Sequence, residues 1–366
     1  MYNIKNLFKY SIALFGKMSA AHSSAFSAYE GKGLTGLGNV GNTCYLNACV
    51  QILSHTYELS DYLEKQTYAK KINKIPESVL LVEWDKLRKL MWSDNCTIAP
   101  WGFVKAVQKV AASKGRDLFT GHAQNDVQEF LLFLVDGFHM ALAREVDMEV
   151  TGTAINETDK LAQSCYGMMK NMYRKEFSEM LGIFYGIHVS EITSMESGDI
   201  LSLTPEPFSV VSLSIPEGKR NPSLLDCFDQ YCAKENLEGN NAWFNDETNQ
   251  SEDAQRGIVY WSLPEVLIID LKRWTESGSK INKLVSVPLE GLDLSKYVKG
   301  YNKHRYVYDL YGTCNHSGGS LGGHYTANVK NANGQWYSFN DTHVDPIDTN
   351  RVVSPSSYCL FFRKIK

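Results

Sequence analysis

The hydrophobic periodicity of this chain changes character once, and that change limits the architectures open to it. From Cys44 to about Lys175 the apolar residues recur at helical spacing. One helix is expected over 78–92, and another opens near Pro100 and carries Phe103, Val104, Val107 and Val110. The strongest spans 126–144, with Val127, Phe130, Leu131, Leu134, Phe138 and Leu142 on one face. From Leu181 onward the apolar runs shorten and read as strands, over 183–192, 208–215, 258–263 and 266–274, with Pro264 separating the last two. A single helix interrupts them over 223–235. Helices first and strands after predict an α+β chain.

Three segments carry the chemistry. The first, Gly33-Leu-Thr-Gly-Leu-Gly-Asn-Val-Gly-Asn-Thr-Cys-Tyr-Leu-Asn47, is a glycine-punctuated polar loop running into an amphipathic helix through Leu46, Val50 and Leu53. Thr43 or Asn42 would cap that helix. Cys44 then falls at its first turn, where unpaired amides and the positive end of the dipole stabilise a thiolate and can bind an oxyanion. Taken alone, Cys44 could also be a buried structural thiol. The second segment, Gly318-Gly-Ser-Leu-Gly-Gly-His-Tyr-Thr-Ala-Asn-Val329, delivers His324 from a glycine-rich loop at the mouth of an alternating strand. The third, Trp336-Tyr-Ser-Phe-Asn-Asp341, supplies an amide and a carboxylate. A Cys–His pair needs a group that accepts from the far ring nitrogen. If 335–339 pairs onto 325–329 across the turn Asn333-Gly334, Asn340 lies beside His324. Among the nine histidines, His316 is the nearest rival, because it shares the expected mobile loop 315–322.

These segments resemble the Cys and His boxes of the ubiquitin-specific proteases, the papain-like deubiquitinating enzymes. Gln124-Asn-Asp-Val-Gln-Glu-Phe-Leu131, Leu267-Ile-Ile-Asp-Leu-Lys-Arg-Trp274 and Tyr358-Cys-Leu-Phe-Phe-Arg363 resemble further blocks of that family in the same order. The resemblance covers about residue 33 to the C-terminus. It implies a thumb–palm–fingers fold: a thumb over 33–180, fingers mostly over 181–257 and a β-rich palm over 258–366, after an N-terminal extension and linker over 1–32. It implies hydrolysis at the C-terminal glycine of ubiquitin by Cys44, His324 and Asn340. Asn39 stands at the oxyanion-hole position, and Asp341 adds charge or polarises water. Asp126 would face the basic tail of ubiquitin, although its default role is to cap its helix, and Glu129 reads as structural. Tyr325, Gly322 and Gly323 would wall a narrow tunnel for the tail. Two other readings stay open: a ubiquitin-binding module without chemistry, and a thiol protease for a ubiquitin-like modifier.

The family commonly holds a zinc in two Cys-x-x-Cys pairs of the fingers. Here no cysteine lies between Cys165 and Cys227 or between Cys232 and Cys314, and Cys227 and Cys232 sit in a helical apolar pattern. A tetrahedral thiolate site cannot be assembled from them, so no metal and no cofactor is expected. The acidic, Asn-rich run 239–253 reads as an exposed loop replacing the second pair, and loops at 276–280 and 315–322 would gate the tail channel. A net charge of −4 over 366 residues gives no electrostatic case for nucleic acid, and no 18-residue apolar run spans a membrane. Eight scattered cysteines do not make a disulfide framework, and a cysteine nucleophile favours a reducing compartment, cytoplasm or nucleus. Residues 7–15 read as a short amphipathic helix or an extension, and the chain is expected to act as a monomer.

Overall fold

The structure is a computed structural model that describes residues 26–121, 123–246, 248–319 and 322–365. The expected helix over 7–15 lies outside the described residues.

A helical layer packs on one face of a large sheet. Its helices include Cys44–Ser54, Tyr57–Glu64, Pro76–Ser93, Trp101–Ser113 and Val127–Leu142. The last three of these bury apolar faces through Leu80, Trp84, Phe103, Val107, Phe130, Leu134 and Phe138. The Cys44–Ser54 helix departs from the expected amphipathic form. All eleven of its residues are buried, Asn47, Gln51 and Ser54 included. A helix surrounded by protein on every side needs partners for those polar groups. The amide N–H groups find them: Gln51 donates to the carbonyl of Thr35 at 2.7 Å, and Asn47 donates to Asp341 at the end of the sheet.

The sheet has eight strands. Along it lie His343–Ile347, Trp336–Asn340, Gly322–Lys330, Val307–Gly319, Ser357–Lys364, Val266–Lys272 and Val210–Ser214, with Leu292–Asp293 beside Val307–Gly319. Both faces are covered, so the strand Val266–Lys272, one in from the edge strand Val210–Ser214, is apolar almost throughout rather than alternating. Val266 and Ile268 face the helical layer, whereas Leu267, Ile269 and Leu271 face a second core containing Leu224 and Phe228. At Gly312 the Cys44–Ser54 helix presses against the sheet, and a Cβ there would stand 2.7 Å from Ile52.

The region expected as fingers is a four-stranded antiparallel sheet in the order Ile200–Phe208, Gly186–Ser194, Ala254–Ser262, Glu235–Leu237. Helix Glu157–Tyr173 covers it through Leu161, Cys165 and Tyr166. Several expectations are corrected here. Ile183 belongs to a short helix, Met180–Phe184, before its strand begins. The helix expected over 223–235 stops at Tyr231, after a capping box in which Ser223 and Asp226 exchange hydrogen bonds, and Glu235 is already strand. The run 239–253 is not an open loop: Trp243–Asn245 and Gln250–Glu252 form a hairpin. Strand Ile200–Phe208 had no counterpart in the sequence reading because Pro205 and Pro207 weaken the pattern. They are tolerated because this is the edge strand. The Cys227 thiol donates to the carbonyl of Ser223 at 3.5 Å inside the second core. Among the described residues no cluster of three or more His, Cys, Asp or Glu side chains is arranged to hold a metal, and no helix is long and apolar enough to cross a membrane.

Candidate active site

Cys44 is the first residue of its helix, and the loop before it is locked by side chains rather than by the expected cap. Thr43 occupies the cap position, but its side chain makes no capping hydrogen bond, and Asn42 adopts a left-handed φ of 53°. The loop closes around Asn39 instead. Its Oδ1 accepts from the amides of Thr43 (3.0 Å) and Gly41 (3.3 Å), while Thr43 Oγ1 accepts from the amide of Val40 at 3.0 Å.

The thiol does not stand as the sequence suggested. Burial pushes the Cys44 thiol above its ordinary value of 9.0, and the charge of Asp341 adds to that. The amide of Tyr325 and those of Tyr45 and Cys44 pull the other way. The helix terminus acts in the anticipated direction, but desolvation outweighs it. Burial thus favours the protonated form of this thiol.

His324 lies at the start of strand Gly322–Lys330, next to Tyr325, whose amide faces the sulfur. His324 Nε2 meets Asn340 Oδ1 at 2.7 Å, which leaves Nδ1 as the nitrogen for proton exchange. The register between the two strands is shifted by two residues from the expectation. Ala327 pairs with Phe339 and Lys330 with Trp336, and the connection is closed at Asn331 and Gln335. A shift of two keeps every side chain on its own face, so His324 and Asn340 still share one, now as diagonal neighbours.

Asp341 follows Asn340 in a left-handed turn, φ 49°. Its carboxylate is taken up by Asn39 Nδ2 at 3.1 Å and Asn47 Nδ2 at 2.8 Å rather than by His324, and its carbonyl accepts from the amide of Leu37. Asp341 thus ties the loop before Cys44, the helix after it and the end of the sheet into one polar seam. The Oδ1 of Asn47 is buried with no hydrogen-bond partner among the described residues.

Asp126 has the default role and more. It caps helix Val127–Leu142, with Oδ1 accepting from the amides of Gln128 (2.7 Å) and Glu129 (3.2 Å), while Oδ2 accepts from the hydroxyls of Tyr358 (2.8 Å) and Tyr325 (3.3 Å). Burial, joined by the negative charge of Asp126, pushes both phenols up. The Tyr325 side chain is therefore packed beneath the strand, and only its backbone faces the thiol. Glu129 is exposed on the first turn.

His316 is not on a loop. It lies in strand Val307–Gly319, paired with Tyr325, buried, with its ring against that of Tyr325. Lys280 Nζ reaches its Nδ1 at 2.9 Å and its carbonyl at 2.6 Å. Burial, and then the Lys280 charge, lower His316 to about 4, which keeps it neutral. Its ring also explains Gly323, since a Cβ there would stand 2.2 Å from His316 Nε2. The segments expected as two separate gating loops are thus joined by Lys280.

Two participants were not singled out in the sequence. Gln124 brackets the backbone of Gly323, donating from Nε2 to its carbonyl at 2.9 Å and accepting its amide on Oε1 at 2.8 Å. Asn47 lies one helical turn beyond Cys44, and the i, i+3 spacing was the signal that could have found it.

Comparison with known proteins identifies the family. The model of the ubiquitin carboxyl-terminal hydrolase family matches residues 35–362. The chain is 31% identical to ubiquitin carboxyl-terminal hydrolase 2 of Bos taurus, over 97% of this chain and 60% of that protein. It is 32% identical to the Homo sapiens protein of the same name, over 94% and 58%, and 33% identical to that of Gallus gallus, over 90% and 93%. The chain thus spans about 60% of the bovine and human relatives. Among solved structures, the SAGA Ubp8/Sgf11/Sus1/Sgf73 DUB module bound to ubiquitin aldehyde contains a chain that superposes with a TM-score of 0.70 at 23% identity. The match covers 100% of this chain and 76% of that one, and it shows the shared fold. With a family match over nearly its whole length, this chain belongs to the ubiquitin carboxyl-terminal hydrolase family.

Proposed function

We propose that this protein is a deubiquitinase that hydrolyses peptide or isopeptide bonds at the C-terminal glycine of ubiquitin, with Cys44 as nucleophile, His324 as base and acid, and Asn340 as the group that orients it. The observation that carries this reading is the bond between His324 Nε2 and Asn340 Oδ1, on a strand whose next amide faces the Cys44 sulfur. With Nε2 occupied, Nδ1 takes the proton of the neutral thiol as the sulfur attacks the glycine carbonyl. The amide of Cys44 and Asn39 Nδ2 stabilise the oxyanion. Asn39 keeps one of its two N–H groups on Asp341 and has the other to give. His324 then protonates the leaving lysine amine, and water releases the acyl group. Asp341 serves here by holding Asn39 and Asn47 in place. The tail would enter along the backbone of Gly322 and Gly323. The segments 33–180, 181–257 and 258–366 would act as thumb, fingers and palm.

Fluorogenic ubiquitin hydrolysis by wild type and Cys44→Ala tests this. Wild type turns over and the variant loses at least about 10⁴-fold in kcat/KM at unchanged Tm. Comparable turnover by both, or none by wild type, overturns the assignment. A panel of other C-terminally activated modifiers reads specificity in the same assay.

A further inference from the structure

The geometry points to Gln124 as an internal stand-in for the substrate's backbone, a latch that the ubiquitin tail must displace; this inference rests on the function proposed above. The reasoning starts from the strand that carries His324. On one side it pairs with Val307–Gly319, Gly323 opposite Gly318 and Tyr325 opposite His316. On the other side its last partner is Phe339, opposite Ala327, so from Tyr325 to Gly322 that edge has no neighbouring strand among the described residues. Alternate residues of a strand direct their N–H and C=O groups to the same side. The Tyr325 amide faces Cys44, and the amide of His316 is used by Ser356 in the opposite direction. The N–H and C=O of Gly323 therefore point along the same open edge as the Tyr325 amide, two residues, or about 7 Å, along the strand from it.

A peptide acylating Cys44 and lying extended on this edge would pair with Gly323 through one N–H and one C=O. Those two bonds are already made. The primary amide of Gln124 has the donor and acceptor of a peptide group, and it satisfies both backbone groups of Gly323 at 2.9 and 2.8 Å. Gln124 and Gly322 are exposed and Gly323 is half-buried, so exchange for another peptide group needs no opening of the core. The glycine cannot turn away, because His316, fixed by Lys280, is packed against its other side. The free protein thus keeps the tail slot closed with a side chain of matching chemistry, and substrate affinity is reduced by the fraction of molecules in the latched state.

Steady-state hydrolysis of fluorogenic ubiquitin by wild type, Gln124→Ala and Gln124→Leu tests the latch, with iodoacetamide alkylation of Cys44 measured beside it. Two exposed hydrogen bonds predict that KM falls about fivefold in both variants while kcat stays within about twofold. The iodoacetamide rate, which needs no tail slot, should be unchanged. An unchanged or raised KM overturns the latch. A fall for Gln124→Ala with wild-type behaviour for Gln124→Leu, which fills the space without polar atoms, overturns the hydrogen bonds as its cause. A loss confined to kcat with a displaced pH profile makes Gln124 a support of the His324 strand and also overturns it. If wild type is alkylated at Cys44 but inert towards ubiquitin, the proposed function itself fails, and the latch with it.

Discussion

The seam between the helical layer and the eight-stranded sheet is held together differently from the four-stranded sheet. In the seam, single polar side chains bridge residues far apart in the chain: Asn39 and Asn47 to Asp341, Gln124 to Gly323, Asp126 to Tyr358, Glu58 to Arg363. In the four-stranded sheet, consecutive backbone ladders between Gly186–Ser194 and its two neighbours do the work, and the separate hairpin Trp243–Asn245/Gln250–Glu252 exposes Phe244. Ladders tolerate exchange of outward side chains, whereas a seam of individually satisfied polar groups does not. The proposed chemistry sits on the seam, where three distant segments are positioned against each other by such groups.

That contrast can be broken at graded cost. The largest stability effect is expected at Arg363, whose guanidinium pairs with Glu58 at 2.6 Å and lies over the rings of Tyr57, Tyr311 and Phe26. Arg363→Ala strands Glu58 in a largely buried site and should cost about 3 kcal/mol in urea unfolding. A loss below about 1 kcal/mol would show that the seam is not held as described. Next comes Asn39→Ala, which removes an oxyanion donor and the loop closure together. It should lower kcat by about 10²-fold or more with ubiquitin binding retained, and a KM effect alone would count against the donor role.

Protonation gives a finer test. Because the Cys44 pKa is raised, its thiolate fraction in the free protein is small near pH 7.5 and grows only as pH climbs past 9.0. Iodoacetamide labelling of Cys44 should therefore keep accelerating through pH 9; a plateau below pH 8 would mean a stabilised thiolate. The smallest effect belongs to the hairpin Trp243–Asn245/Gln250–Glu252. Phe244→Ser there should change stability by no more than about 0.5 kcal/mol, and a chelator should leave the Tm of the protein unaltered. A Tm drop accompanied by stoichiometric zinc release would show that a metal holds this region after all.

Much was legible in the linear sequence because it depends on short range. The helix beginning at Cys44, the Gly-Gly approach to His324, the adjacent Asn340-Asp341 pair and the cap at Asp126 are all local patterns, and the helices over 76–93 and 127–142 follow from periodicity. What the sequence could not supply was every balance between distant groups. Whether the helix dipole or burial governs Cys44 depends on how much protein covers the sulfur. The two-residue register shift beside His324 depends on how the connection from Asn331 to Gln335 closes, and the hydrophobic pattern is blind to a shift that preserves each side chain's face. The partners of Asp341 and Gln124 lie about 300 and 200 residues away, and only the packed tertiary structure, in which a buried or bracketing polar group must find its mate, decides which mate that is.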